Sequence, residues 1–417
     1  MVTATHDALL PRTRWNWLWG AKSDLTWNFA PFWAGFLIAF VAYFARNLGG
    51  MNDNPVWNLR LFGHNIHIAA LILYFYSPIV DAPHLWATVA RTYTDKEEWA
   101  QRRRLFLGSL AWFVIGPVVI LLPYLLHATV GFPAAQESLA WLVWTRFFEL
   151  YALFHIAKQH WGFVALYKRK NGDMADELEN RVDALFFKTA LWLPYIAMLA
   201  APWYVDFDGK PFTFLSGVLG GRTYGEWLHA GCNVVLLAMC VAYAFFQVDQ
   251  WRKGKVRNGP KLLYIGTLVA LYFVTFAVDE RVAVFWLITT GIGHCAQYHR
   301  VVWAYGATKY APQNERTLPV RIFKSPALYI SLGVVFGIVT LQGPVGFYVQ
   351  HAIGVAFDRS GLHGFFSFLN HDDAVTLGAR LVAAFAGGTR LHHFFVDSKI
   401  WRVSKNAALA KNLNVAA

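Results

Sequence analysis

Apolar runs of membrane-spanning length recur along almost the entire chain, and its Lys and Arg residues fall in short clusters between them. Inside a bilayer the backbone must satisfy its own hydrogen bonds, so a run of about 20 apolar residues folds as a helix. Only 15% of the residues are charged, against about 25% in a soluble domain, which leaves too few to coat a wet surface. The expected fold is all-α, a polytopic transmembrane helical bundle of roughly ten helices. Spans are expected near residues 31–44, 64–84, 105–127, 139–167, 184–201, 227–247, 262–278, 282–305, 327–350 and 375–401. Residues 1–30 read as an interfacial N-terminal segment, since Trp15, Trp17 and Trp19 stand among Arg12, Arg14 and Lys22. Residues 31–403 read as a single transmembrane helical domain, and 404–417 as a cytoplasmic C-terminal tail.

The basic clusters set the orientation. Arg91, Lys96 and Arg102 follow the second expected span, Lys168 and Arg169 the fourth, Lys253 and Arg257 the sixth, Lys309 and Arg321 the eighth, and Lys399 and Arg402 the tenth. The intervening loops are poor in Lys and Arg, so the ends of even-numbered spans and both termini are expected in the cytoplasm, with the chain in the bacterial cytoplasmic membrane. The net charge of +12 then reflects topology and contact with anionic lipid, and no nucleic-acid partner is implied. Cys232, Cys240 and Cys295 all lie in apolar context, so no disulfide framework is expected. No removable signal peptide is expected either.

Against this apolar background the histidines sort by depth. His84 closes the second expected span, His155 and His160 lie toward the end of the fourth, His294 and His299 toward the end of the eighth, and His392 and His393 toward the end of the tenth. All four groups sit roughly 10–20 Å before the next basic cluster, at one common depth. Within each twin segment, His155-Ile-Ala-Lys-Gln-His160 and His294-Cys-Ala-Gln-Tyr-His299, the two imidazoles are five residues apart and diverge by about 140°. Both reach one ion only if the helix is widened by a π-bulge; otherwise they serve different neighbours. His64, His67, His127, His229, His351, His363 and His371 fall on or near the opposite surface and read as loop or interface residues. Arg146 and Glu149, three apart, read as an ion pair facing the bundle.

Imidazoles from several bundle helices can wrap an ion and leave a position open for chemistry. The candidate metal ligands are His84, His155, His160, His294, His299, His392 and His393. Asp81 and Asp397 are placed to hold the second ring nitrogen of a ligand, although each could itself be a ligand. Gln159, Gln297 and Tyr298 are candidate catalytic groups, supplying hydrogen bonds or a proton path. The plainer reading has each histidine bonding a polar neighbour across helices.

The phrases Asp81-Ala-Pro-His84, Gln159-His-Trp-Gly162, Gln297-Tyr-His-Arg300 and His392-His-Phe-Phe-Val-Asp397 resemble a group of bacterial multi-pass, histidine-rich membrane proteins over the second to tenth spans. More distantly, the pattern of lone helix-borne histidines is similar to the Brp/Blh-type carotene dioxygenases, in which four histidines hold one iron. That resemblance implies His84, His155 or His160, His294 or His299, and one of His392 and His393 as ligands. The dense histidine boxes of fatty-acid desaturases are missing, which speaks against a di-iron desaturase. The leading expectation is an integral-membrane metal-dependent oxidoreductase or oxygenase, using non-haem iron on a lipid-soluble substrate such as an isoprenoid, a carotenoid or an acyl lipid, with a redox partner as an option. Haem, copper and zinc are the alternative cofactors. A transporter or metal-handling channel is the alternative function, and would want polar residues continuing across the bundle.

Overall fold

The structure, a computed structural model, describes residues 13–47, 58–61, 64–67, 76–132, 135–201, 216–277, 283–310, 312–314, 317–341, 348–349, 352–353, 355–356 and 371–415. The described helices are α1 (Ala21–Asp24), α2 (Ala30–Asn47), α3 (Ala82–Thr92), α4 (Lys96–Ser109), α5 (Trp112–Val130), α6 (Ala135–Asn171) and α7 (Glu177–Ala200). They continue with α8 (Tyr224–Arg252), α9 (Gly259–Ala277), α10 (Ala283–Tyr310), α11 (Leu318–Lys324), α12 (Pro326–Val339), α13 (His371–Ile400) and α14 (Ala407–Asn412). Backbone packing divides the chain into one unit of Met1–Arg46, Ala157–Gln297 and Asn414–Ala417 and another of Asn47–Ile156 and Tyr298–Leu413.

In the first unit α7 packs against both α8 and α9. Asp176 caps α7 by accepting from the Glu179 amide, and a Thr223–Glu226 capping box opens α8. Lys168, Glu179, Asp183, Arg257 and Lys261 are buried together: Lys168 reaches Asp183 at 2.5 Å, Lys261 bridges Asp183 and Glu179, and Arg257 meets Glu179 at 2.6 Å. Each cation meets a carboxylate, which offsets the cost of removing it from water. The N-terminal segment is tied down by parallel pairing of Thr13–Arg14 with Arg257–Asn258. A Cβ on Gly259 would fall 2.7 Å from the Trp15 ring, so glycine lets that segment approach.

In the second unit α13 packs along α5 and α3, and α3 packs against α12. Small residues set these approaches, as in other membrane helices. A Cβ on Gly388 of α13 would lie 2.7 Å from the Phe113 Cα, and one on Gly333 of α12 would lie 2.8 Å from the Pro83 Cα. A π-helical turn, Ser77–Asp81, leads into α3 and has Pro78 in its first turn. The Arg146–Glu149 ion pair expected from their spacing is present at 2.7 Å.

Two expectations need correction. Residues 64–67 do not begin a helix: they pair antiparallel with Asn58–Leu61 as a hairpin, where backbone bonds are met between strands. The fold is all-α in character, but not every helix is a uniformly apolar span. Among the described residues four helices are long and apolar enough to cross a membrane, Lys96–Val130, Glu177–Ala200, Tyr224–Arg252 and Gly259–Phe276, or five if the α11–α12 pair, bent by 110°, counts as one. The expected ten is therefore too many. Helices α6 and α13, at 37 and 30 residues, have the length. Their interior charges, Arg146, Glu149 and Lys158 in one and Arg380, Arg390 and Asp397 in the other, set them apart from the uniformly apolar helices.

Candidate metal centre

Three imidazoles converge inside the second unit. His84 is the third residue of α3, held where the Pro83 backbone presses on Gly333; His155 comes from α6; His393 comes from α13, five residues after the close contact at Gly388. The ring centroids are 4.3 Å apart for His84 and His393, 4.9 Å for His155 and His393, and 6.5 Å for His84 and His155. All three side chains are buried, and Phe394 stacks on His155 at 4.4 Å. Tyr298 of α10 stands edge-on to this group, 5.1 Å from His84 and 5.2 Å from His393. His84, His155 and His393 each offer a ring nitrogen within 4.8 Å of the others. His294, another of the expected ligands, belongs to the first unit, where its backbone carbonyl accepts from Gln159. An ion with bonds of about 2.1 Å needs donors roughly 3–4 Å apart, so modest side-chain rotation closes the group on a metal. The buried group can hold a metal ion.

Thr88 and Asp397 hold the His393 ring. The Asp397 Oδ1 accepts from the Tyr298 hydroxyl at 2.6 Å and from the Thr88 hydroxyl at 2.8 Å. Thr88 Oγ1 lies 2.6 Å from His393 Nδ1, and His393 Nε2 lies 3.6 Å from Asp397 Oδ2. A polar partner of this kind orients a metal-binding imidazole. On the other side His84 Nδ1 lies 3.7 Å from Asp81 Oδ1, and the Arg390 Nε holds Asp81 at 2.8 Å. Asp81 and Asp397 thus flank the His84 and His393 rings.

The other histidine candidates point elsewhere and are not part of this group. His160 Nδ1 lies 3.2 Å from the Tyr264 hydroxyl and 3.3 Å from Gln297 Oε1. His299 Nδ1 lies 2.9 Å from the Tyr329 hydroxyl, and His392 sits between Ser109 at 3.0 Å and Tyr93 at 3.3 Å. The reason is the five-residue spacing on unwidened helices, and for His392 the rotation of about 100° from its neighbour. Of the candidate catalytic groups, only Tyr298 reaches the cluster. Gln159 donates to the His294 carbonyl at 2.9 Å, and Gln297 accepts from Tyr264 at 3.0 Å and donates to the Asn28 carbonyl at 3.2 Å. Thr88 and Arg390 are additions. Thr88 was visible as the residue one turn after His84, and Arg390 as the residue three before His393, where a shared helix face puts polar side chains together.

The chain matches no family model, no curated protein and no solved structure. Its function is read from the site.

Proposed function

We propose that this protein is an integral-membrane oxidoreductase or oxygenase that uses non-haem iron in the buried group of His84, His155 and His393 to oxidise a lipid-soluble substrate with dioxygen. The observation that carries the reading is the convergence of buried imidazoles from separate helices with hydrogen-bonded carboxylates behind them. Coordination number favours iron. Three imidazoles on an ion leave positions open, and six-coordinate iron retains more of them for oxygen and substrate than tetrahedral zinc does. Haem brings four equatorial nitrogens of its own and needs one or two imidazoles, so three converging rings support a bare ion. A lipid-soluble substrate fits the apolar membrane helices around the chain. Tyr298, hydrogen-bonded to Asp397 beside two of the rings, is the group placed to hold or pass a proton.

Metal analysis of detergent-purified protein, with its visible spectrum and oxygen uptake on isoprenoid, carotenoid and acyl-lipid substrates, tests this. Iron without a Soret band, and oxygen uptake that stops on chelation and returns with Fe(II), is the expected result. Zinc or no metal, a haem spectrum, or uptake unchanged after iron removal would each refute it.

A further inference from the structure

Tyr298 and Trp401 are joined by more than ring packing. The Tyr298 hydroxyl, on a fully buried side chain, donates to Asp397 Oδ1 at 2.6 Å and accepts from the Trp401 indole Nε1 at 3.2 Å. Its ring stands 5.1 Å from His84 and 5.2 Å from His393, and it meets the Trp401 ring at 5.9 Å. Trp401 directly follows α13 and is partly exposed, next to the exposed Arg402. Two oxidisable rings thus lead from the imidazole group to the surface, all within the second unit. Phe would pack at either position, but here each ring carries a hydrogen, on oxygen or on nitrogen, that can move with an electron.

We propose that Tyr298 and Trp401 form a one-electron path that carries oxidising equivalents away from the metal when no substrate is bound. The path rests on the iron reading above for its oxidant, a strong one-electron oxidant made at the metal from dioxygen. That oxidant takes one electron from Tyr298. The phenol O–H bond breaks and its proton passes to the Asp397 carboxylate, leaving a neutral tyrosyl radical. Trp401 then gives up one electron together with its indole proton, which crosses the N–H···O bond and restores Tyr298. Arg91 is the reason the indole proton leaves as well. Its guanidinium lies 3.6 Å over the Trp401 ring, where a second positive charge would be repelled, so the product is the neutral indolyl radical. A soluble one-electron donor such as ascorbate supplies the last electron at the exposed side, and water supplies the proton. In sum one electron reaches the metal and one proton reaches Asp397, and the imidazoles are spared oxidation.

A flash experiment on the full-length, metal-free protein tests the path from its surface end. Ser404 is exposed and three residues beyond Trp401, so Ser404→Cys in a Cys240→Ser background gives a tether for a ruthenium photo-oxidant, while Cys232 and Cys295 are buried. Electron paramagnetic resonance after the flash should show a tyrosyl radical. Trp401→Phe and Tyr298→Phe should each cut its yield about tenfold or more, and Tyr298→Phe should leave an indolyl signal instead. Trp401 is partly exposed, so its variant is expected to fold even if Tyr298→Phe does not. In iron-loaded protein given dioxygen without substrate, mass spectrometry should find His84 and His393 oxidised about tenfold faster in Trp401→Phe than in the wild type. A tyrosyl yield unchanged in both variants would show that the rings only pack, and overturns the proposal, as does equal histidine oxidation. Failure of the flash refutes the path and leaves the iron reading standing. A tyrosyl signal in a protein that binds no iron supports the path and refutes the iron reading.

Discussion

At the scale of single residues the site rests on choices among near-identical neighbours. His393 belongs to the converging group and His392 does not, although they are adjacent. Replacing His393 with Ala should abolish metal binding, whereas His392→Ala should leave metal content intact and cost stability only through Ser109 and Tyr93; metal analysis of both purified variants decides this. Thr88 acts through His393. Thr88→Val keeps the shape but removes the hydroxyl that bonds His393 Nδ1 and donates to Asp397. Metal affinity should fall about 10–100-fold, with Thr88→Ser restoring most of it, measured by competition with a chelator. The candidate positions themselves were legible, because an imidazole in an apolar run is conspicuous. Which member of each pair turns inward was open, since rotation about a helix axis is settled by what packs on its other faces.

At the scale of elements, glycines decide how near the histidine-bearing helices come. Gly333→Val would drive a side chain into the Pro83 backbone. A loss of roughly 1–3 kcal/mol is expected, with reduced metal content because α3 and His84 are pushed away, read by thermal unfolding and metal analysis together. The connection between α3 and α4 carries a pH dependence. Burial pushes the Asp95 carboxyl up, but hydrogen bonds from Lys309 and Tyr310 outweigh it and hold Asp95 below its ordinary range. A depressed folded pKa contributes stability above the unfolded value of about 4, lost as pH falls through the folded value. Burial lowers the Lys309 ammonium, and bonds to Asp95 and Glu97 more than restore it, so its pKa is raised. Its contribution is present below the unfolded value of about 10.4 and is lost as pH rises through the folded one. Thermal unfolding should thus show an acid-side loss that Asp95→Asn removes, at the cost of lower stability at neutral pH. A wild-type acid limb retained in the variant would show that other carboxylates cause it.

At the scale of the whole molecule, the basic residues Arg252, Lys253, Lys255 and Arg257 between α8 and α9 predict that the Val256–Asn258 loop faces the cytoplasm. Cysteine-accessibility labelling in oriented vesicles checks it, and an outward-facing loop would overturn the orientation. Replacing His229, which bonds the Ala197 carbonyl in the first unit, should leave metal content unchanged. The sequence by itself determined the helical, membrane-compatible character of the chain and the identity of its chemistry-bearing residues. Both follow from composition and spacing, because hydrocarbon demands internally bonded backbone and polar side chains there are few. It overcounted uniform spans because an apolar run reads alike whether lipid or protein surrounds it. The close contacts at Gly333 and Gly388 and the exclusion of His160, His299 and His392 were decided by tertiary structure alone, whereas Thr88 and Arg390 had a spacing signal that only packing turned into contacts. These depend on the rotation of one helix against another, which packing between segments distant in sequence sets and local periodicity does not.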